Sequence, residues 1–153
     1  MRALENKIPP PIVVIVCALL MWGIARATPG IAIDLSIRIF AACALVLLGG
    51  VFCVSGIISF RVAKTTVNPL KPETATSLVS SGVFRISRNP MYVGFAFFLL
   101  AWAAFLAAPW ALFGVLGFVL YMIYFQIAPE EQALAALFGP EYAAYQAKVR
   151  RWL

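Results

Sequence analysis

Histidine is absent from this chain of 153 residues, and only six acidic residues accompany twelve basic ones. Without an imidazole, a Ser-His-Asp or Cys-His triad is excluded. The three cysteines, Cys17, Cys43 and Cys53, stand apart inside apolar runs, and no CxxC pair occurs. Zinc and iron–sulfur sites therefore have no ligand set, and no metal is expected. The thiols read as small packing groups. Charge of either sign is scarce: 12% of the residues carry it, against about a quarter in soluble domains.

What the chain has instead is apolar surface, with 63% of its residues hydrophobic. That composition belongs to a membrane protein. The expected fold class is all-α, an integral membrane helical bundle in a single domain, 1–153. About 20 apolar residues cross a bilayer, and four segments can do so: 8–25, 39–60, 91–108 and 110–128. Only Pro109 separates the last two, which predicts a tight antiparallel hairpin. The first span has a rival reading. Arg2 and Lys7, an apolar core and Ala25-Arg26-Ala27 also fit a signal peptide with its cleavage site.

The net charge of +6 does not point to nucleic acid, because no basic cluster interleaves with aromatics. Basic residues at membrane ends set topology and meet anionic lipid heads. With the N-terminus inside, Arg2, Lys7, Arg61, Lys64, Lys71, Arg85, Arg88, Lys148, Arg150 and Arg151 are cytoplasmic, and only Arg26 and Arg38 are outside. The expected location is a bacterial-type inner (plasma) membrane with both termini in the cytoplasm. Gly49, Cys53 and Gly56 share one helical face and allow close helix approach, and Gly114 and Gly117 do the same on the fourth span.

Two polar segments exceed what a bare bundle needs. One is "RVAKTTVNPLKPETATSLVSSGVFRISRN", residues 61–89, longer than a helix–helix turn requires. The other is "PEEQALAALFGPEYAAYQAKVRRWL", residues 129–153. There Pro129 starts a helix, Gly139 ends it and Pro140 starts another. Tyr142, Tyr145, Val149 and Trp152 would share a face of a helix lying on the membrane surface. Both segments fall on the cytoplasmic side.

Between them stands "SRNPMYVGF", residues 87–95. Asn89 suits a helix N-cap and Pro90 the first helical position. Arg88 opposes the helix dipole. Either it reaches lipid phosphate, or an anion sits beside it, favoured by the free N–H groups and the guanidinium together. Glu130 and Glu131 close the fourth span. They read as first-turn acids after Pro129 or as a pair for acid–base work. The hairpin brings Arg88, Tyr92 and Glu130 to one depth, with Leu78, Val79 and Phe84 as apolar walls.

The stretch "SLVSSGVFRISRNPMYVG" followed by "EEQALAALFGPEYAAY" resembles the isoprenylcysteine carboxyl methyltransferase and phospholipid methyltransferase superfamily of integral membrane enzymes. The resemblance covers about residues 66–152. It implies S-adenosyl-L-methionine as cofactor, bound by Thr76, Ser77, Leu78 and Val79 of a cofactor loop (61–90), by Phe84, by Arg88, Asn89, Pro90, Met91 and Tyr92 of an Arg-His-Pro-x-Tyr-like motif, and by Glu130. Residues 129–153 would be interfacial helices. Asn89 replaces the usual histidine. Gln126 stands where the prenylcysteine enzymes carry an arginine for the substrate carboxylate. Arg88, Asn89, Tyr92 and Gln126 are the catalytic candidates.

The implied function is methyl transfer to a lipophilic acceptor drawn from the bilayer: an isoprenylcysteine-like carboxylate, a phospholipid amine or a thiol. Membrane lipids are the expected surroundings, without nucleic acid or metal. Two alternatives are an NADPH-dependent membrane reductase of related fold and a non-catalytic membrane scaffold subunit. The topology has a direct test. A cysteine placed at Pro109 is expected to label from outside the cell, and one at Lys71 or at the C-terminus only after permeabilisation. The reverse pattern would refute the orientation.

Overall fold

The computed structural model describes residues 7–64 and 76–153; the regular elements among them are all helices, with no strand. Helix α1 runs Pro10–Ala27 and α2 runs Leu35–Val62. A 3-10 turn at Gly82–Arg85 precedes α3, Pro90–Leu106. A second 3-10 turn at Pro109–Ala111 leads into α4, Leu112–Tyr121. A π-helical stretch, Met122–Ile127, joins α4 without a break to α5, Ala128–Lys148. Residues 65–75 of the expected cofactor loop lie outside the described residues.

Among the described residues, three helices are long and apolar enough to cross a membrane: Pro10–Ala27, Leu35–Val62 and the continuous run Pro109–Lys148. The 17 residues of α3 rise about 1.5 Å each, some 25 Å in all, slightly less than a typical hydrocarbon core of about 30 Å. The four apolar segments expected from sequence thus form helices, but the fourth does not end at Ala128. Proline lacks an N–H and its ring crowds the carbonyl four residues back. The wider π turn immediately before Pro129 absorbs that mismatch, and the helix continues.

The break at Gly139 and Pro140 is present, since Gly139 takes φ 46°, ψ −120° inside α5, a backbone that glycine adopts readily. The second half of α5 departs from the expected surface helix. It stops at Lys148, with Val149 extended, so Trp152 shares no helical face with the two tyrosines. Tyr142 and Tyr145 are buried against Val79 and Phe84. Trp152 packs instead against the main core, which holds Tyr92, Phe118, Met122 and Ile127.

Small residues set the helix contacts. A Cβ at Gly94 of α3 would stand 2.4 Å from Cys53 Sγ and 2.7 Å from the Gly49 carbonyl of α2; one at Gly56 would meet the Met91 side chain at 2.8 Å. The stripe Gly49, Cys53 and Gly56 is therefore the α2–α3 seam. Gly114 lies against Met21 of α1, whereas a Cβ at Gly117 would meet nothing within 4 Å. Gly117 is no packing glycine: it lies outside the α1–α4 contact. Trp102 of α3 donates to the Ala18 carbonyl of α1 at 3.0 Å, a polar tie between spans.

The end of the bundle that carries the hairpin turn is closed by backbone. Ala107 is left-handed at the end of α3, and its carbonyl accepts from Ile31 N at 2.8 Å. Arg38 donates to the Phe105 carbonyl through Nε at 2.7 Å and through Nη2, with its guanidinium over the Phe105 ring. Asp34 caps α2 by accepting from Ser36 N at 2.8 Å, and that bond holds its carboxyl below the ordinary value. The α2–α3 seam can be probed by one methyl group. Gly94→Ala is expected to lower unfolding stability in detergent by about 1–3 kcal/mol, the usual cost of overpacking, whereas Gly117→Ala leaves it unchanged. Equal thermal midpoints for the two variants would show that the seam is looser than described.

Candidate functional site

The opposite end of the bundle is held by side chains. Pro90 begins α3, and Asn89 occupies its N-cap position at φ −129°, ψ 55°. The expected cap is not made, because the Asn89 side chain makes no capping bond. Its Nδ2 donates instead to the Arg151 carbonyl at 2.9 Å. Ser87, fully buried, accepts from Asn89 N at 3.1 Å and donates to the Arg151 carbonyl at 3.4 Å. Arg88 N donates to the Arg150 carbonyl at 2.9 Å. Residues 150–151 thus lie along residues 87–89 and satisfy a helix start that would otherwise lack partners.

Sequence reasoning offered Arg88 a lipid phosphate or a ligand anion. The structure supplies an internal one. Arg88 Nη2 donates to Glu131 Oε1 at 2.9 Å, and Arg151 grips the same carboxylate through Nε at 3.1 Å and Nη2 at 2.6 Å. The Arg88 and Glu131 side chains are only 13% and 15% exposed, so the pairing is shielded from solvent and an unpaired partner would be costly. The hydrogen bond to Glu131 raises the Arg151 guanidinium above its ordinary pKa. Arg88 Nη1 reaches the Gln146 carbonyl at 3.4 Å.

Glu130 faces a different set. Tyr92 Oη donates to Glu130 Oε1 at 2.5 Å, and Gln126 Nε2 donates to the same oxygen at 2.7 Å. Consecutive helical residues point about 100° apart, which separates the two carboxylates: Glu131 meets cations, Glu130 neutral donors. Glu130 Oε2 accepts no bond among the described residues. Gln126 is buried, on the π-helical stretch, four residues before Glu130 and so on the same face.

The other candidates form a second cluster. Ser77 Oγ donates to the Ala63 carbonyl at 3.1 Å, and Thr76 Oγ1 approaches the Lys64 carbonyl at 3.5 Å, so this segment hangs from the end of α2. Leu78, Val79 and Phe84 pack with Phe60 and with Leu134, Phe138, Tyr142 and Tyr145 of α5. Tyr145 Oη donates to the Phe84 carbonyl at 2.7 Å. Met91 turns toward α2, where its side chain meets Gly56. The structure therefore brings Arg88, Asn89, Tyr92, Gln126, Glu130 and Glu131 to one joint. Residues 76–79 and Phe84 flank it, and the Met91 side chain lies in the α2–α3 seam.

Two features were missed from sequence. Residues 150–152 belong to the joint; their signal was a basic pair without a helical role. The π turn was signalled only by Pro129 inside an apolar run. What the joint offers chemically is a half-buried carboxylate with one oxygen pinned and one open, beside an arginine and aromatic walls. A stability test follows from the shared carboxylate. Charge-assisted hydrogen bonds contribute about 1.5–3 kcal/mol each, less where a partner is exposed, as Arg151 partly is. Glu131→Gln is expected to lower unfolding stability by about 1–3 kcal/mol, and Arg151→Gln by less. Thermal unfolding in detergent with no change for Glu131→Gln would show that the joint does not depend on this charge.

A family profile described as phospholipid methyltransferase matches residues 37–141. An uncharacterized protein of Haemophilus influenzae is 48% identical over 63 residues, which is 41% of this chain and the whole of that protein. No solved structure matches the chain.

Proposed function

The chain belongs to the phospholipid methyltransferase family, and from that premise we propose that it is an S-adenosyl-L-methionine-dependent methyltransferase acting on a lipophilic acceptor within the bilayer. Family membership itself points to a membrane methyltransferase. The cofactor and the acceptor class are our reading of the joint. The observation that carries it is Glu130: Tyr92 and Gln126 fix Oε1, and Oε2 accepts no bond among the described residues.

The residues present fit an adenosyl sulfonium cofactor. Glu130 would accept the ribose hydroxyls. Val79, Phe84 and neighbouring rings would provide apolar walls and ring faces for a cation. Arg88, Asn89 and the start of α3 would take the amino-acid end. When bound, S-adenosylmethionine would supply an electrophilic methyl group on its sulfonium sulfur for transfer to a nucleophilic acceptor, with the neutral thioether as leaving group. What the chain contributes is orientation and exclusion of water, the terms that matter most for such a displacement. We assign the whole chain to one methyltransferase domain. Its polar joint faces the cytoplasm of a bacterial-type inner membrane, and both termini lie on that side, as the basic residues argue.

The acceptor reading rests on where the cations are. Gln126 is neutral and bonded to Glu130. Arg88 and Arg151 both bond Glu131. A carboxylate acceptor would find no arginine at position 126, so an amine or thiol on a lipophilic molecule is the better fit. Arg88, Arg151 and Glu131 together keep a single surplus positive charge, too little for the several phosphates of NADPH.

Calorimetry on detergent-purified protein tests this. S-adenosylmethionine or S-adenosylhomocysteine is expected to bind in preference to NADPH, and NADPH binding alone would sink the proposal. Glu130→Gln loses charge-assisted bonds to the ribose, each worth about 1.5–3 kcal/mol, so cofactor affinity is expected to fall roughly tenfold to a hundredfold. Glu131→Gln is expected to reduce it much less. Equal losses, or a larger one at Glu131, would withdraw Glu130 as the ribose ligand.

A further inference from the structure

Two buried N–H donors in the described residues have no acceptor: Arg88 Nε and Trp152 Nε1. Buried donors nearly always have partners, and leaving one unmade is costly. Both orphans belong to the same joint. Arg88 lies on the segment at the start of α3, and Trp152 on the segment bonded to it through the Arg150 and Arg151 carbonyls. The charge of the joint points the same way. Arg88 and Arg151 share the single carboxylate of Glu131, so these three groups keep one positive charge in excess. Glu130 is bonded to Tyr92 and Gln126 instead. The other two nitrogens of Arg88 are engaged, by Glu131 and by the Gln146 carbonyl.

We propose that Arg88 Nε and Trp152 Nε1 together hold the carboxylate at the amino-acid end of the cofactor, which makes residues 150–152 part of the binding site. The inference rests on the adenosyl-cofactor reading above. A carboxylate supplies the acceptors that both donors lack and balances the surplus charge. It also gives residues 150–152 a role that their packing leaves unexplained. Their carbonyls align residues 87–89, and the Trp152 indole extends that alignment to the ligand.

The test compares two ligands that share an adenosine end. S-adenosylhomocysteine carries the carboxylate and 5′-methylthioadenosine does not. Calorimetry on the full chain in detergent is expected to show at least tenfold tighter binding of S-adenosylhomocysteine. Trp152→Phe keeps the ring and removes the N–H. Arg88→Lys keeps the charge opposite Glu131 and removes the Nε donor. Each is expected to weaken S-adenosylhomocysteine about tenfold, the effect of one hydrogen bond to a charged group, and to leave 5′-methylthioadenosine unchanged. Equal losses for both ligands would mean that these side chains only support the fold, and would overturn the inference. So would an unaltered S-adenosylhomocysteine affinity in Trp152→Phe, which would assign the indole N–H to water. Either result leaves the methyltransferase reading intact. Failure of the unmodified protein to bind either ligand removes that reading and this inference together.

Discussion

One carboxylate shared between two guanidinium groups fixes the functional end of this molecule. Arg88 is shielded from solvent at a helix start, where the dipole disfavours a cation, and only a paired anion makes that position tenable. Glu131 provides it, and by also holding Arg151 it draws a third segment into the contact. Residues 88, 131 and 151 are remote in sequence and become one unit through three oxygen–nitrogen contacts of 2.6 to 3.1 Å. The start of α3, the start of α5 and the segment beyond α5 therefore form together, and each is poorly satisfied without the others.

The two ends of the bundle are built differently. At the hairpin end, backbone carbonyls at Phe105 and Ala107 accept from Arg38 and Ile31; no carboxylate other than the Asp34 cap stands there among the described residues. Between the ends, small residues let α2 and α3 touch closely, while Phe40, Leu47 and Val51 of α2 face outward as lipid-facing side chains do. Buried side-chain polarity is thus concentrated at the other end, around Gln126, Glu130 and Glu131. Among the described residues, that end is where buried polar side chains adjoin apolar walls.

Much of this was legible in the sequence because lipid imposes strong rules. Apolar runs of spanning length announced the helices, and Pro109 announced the hairpin. The spacing of Gly49, Cys53 and Gly56 announced a close contact, though not its partner. The meeting of Arg88, Tyr92 and the Glu130 pair followed from hairpin geometry. What stayed hidden depends on tertiary choice. Asn89 had every local reason to cap α3, yet its side chain turns to the Arg151 carbonyl, because a chain segment arriving from sixty residues away offers a better acceptor. Gly117 carried the same local signal as Gly114, but only Gly114 has a helix opposite it. Trp152 had the right spacing to continue a helix that the extended Val149 ends.

The π-helical stretch at Met122–Ile127 changes the phase of everything after it. A turn of this kind accommodates an extra residue without lengthening the helical axis by a full step, so the angular register of α4 is not that of α5. A wheel drawn through residues 112–148 at constant pitch would misplace Glu130 and Glu131 by about one residue, roughly 100°. That angle is also the separation between the two carboxylates. The assignment of each acid to its partners is set as much by this local change of pitch as by the acids themselves.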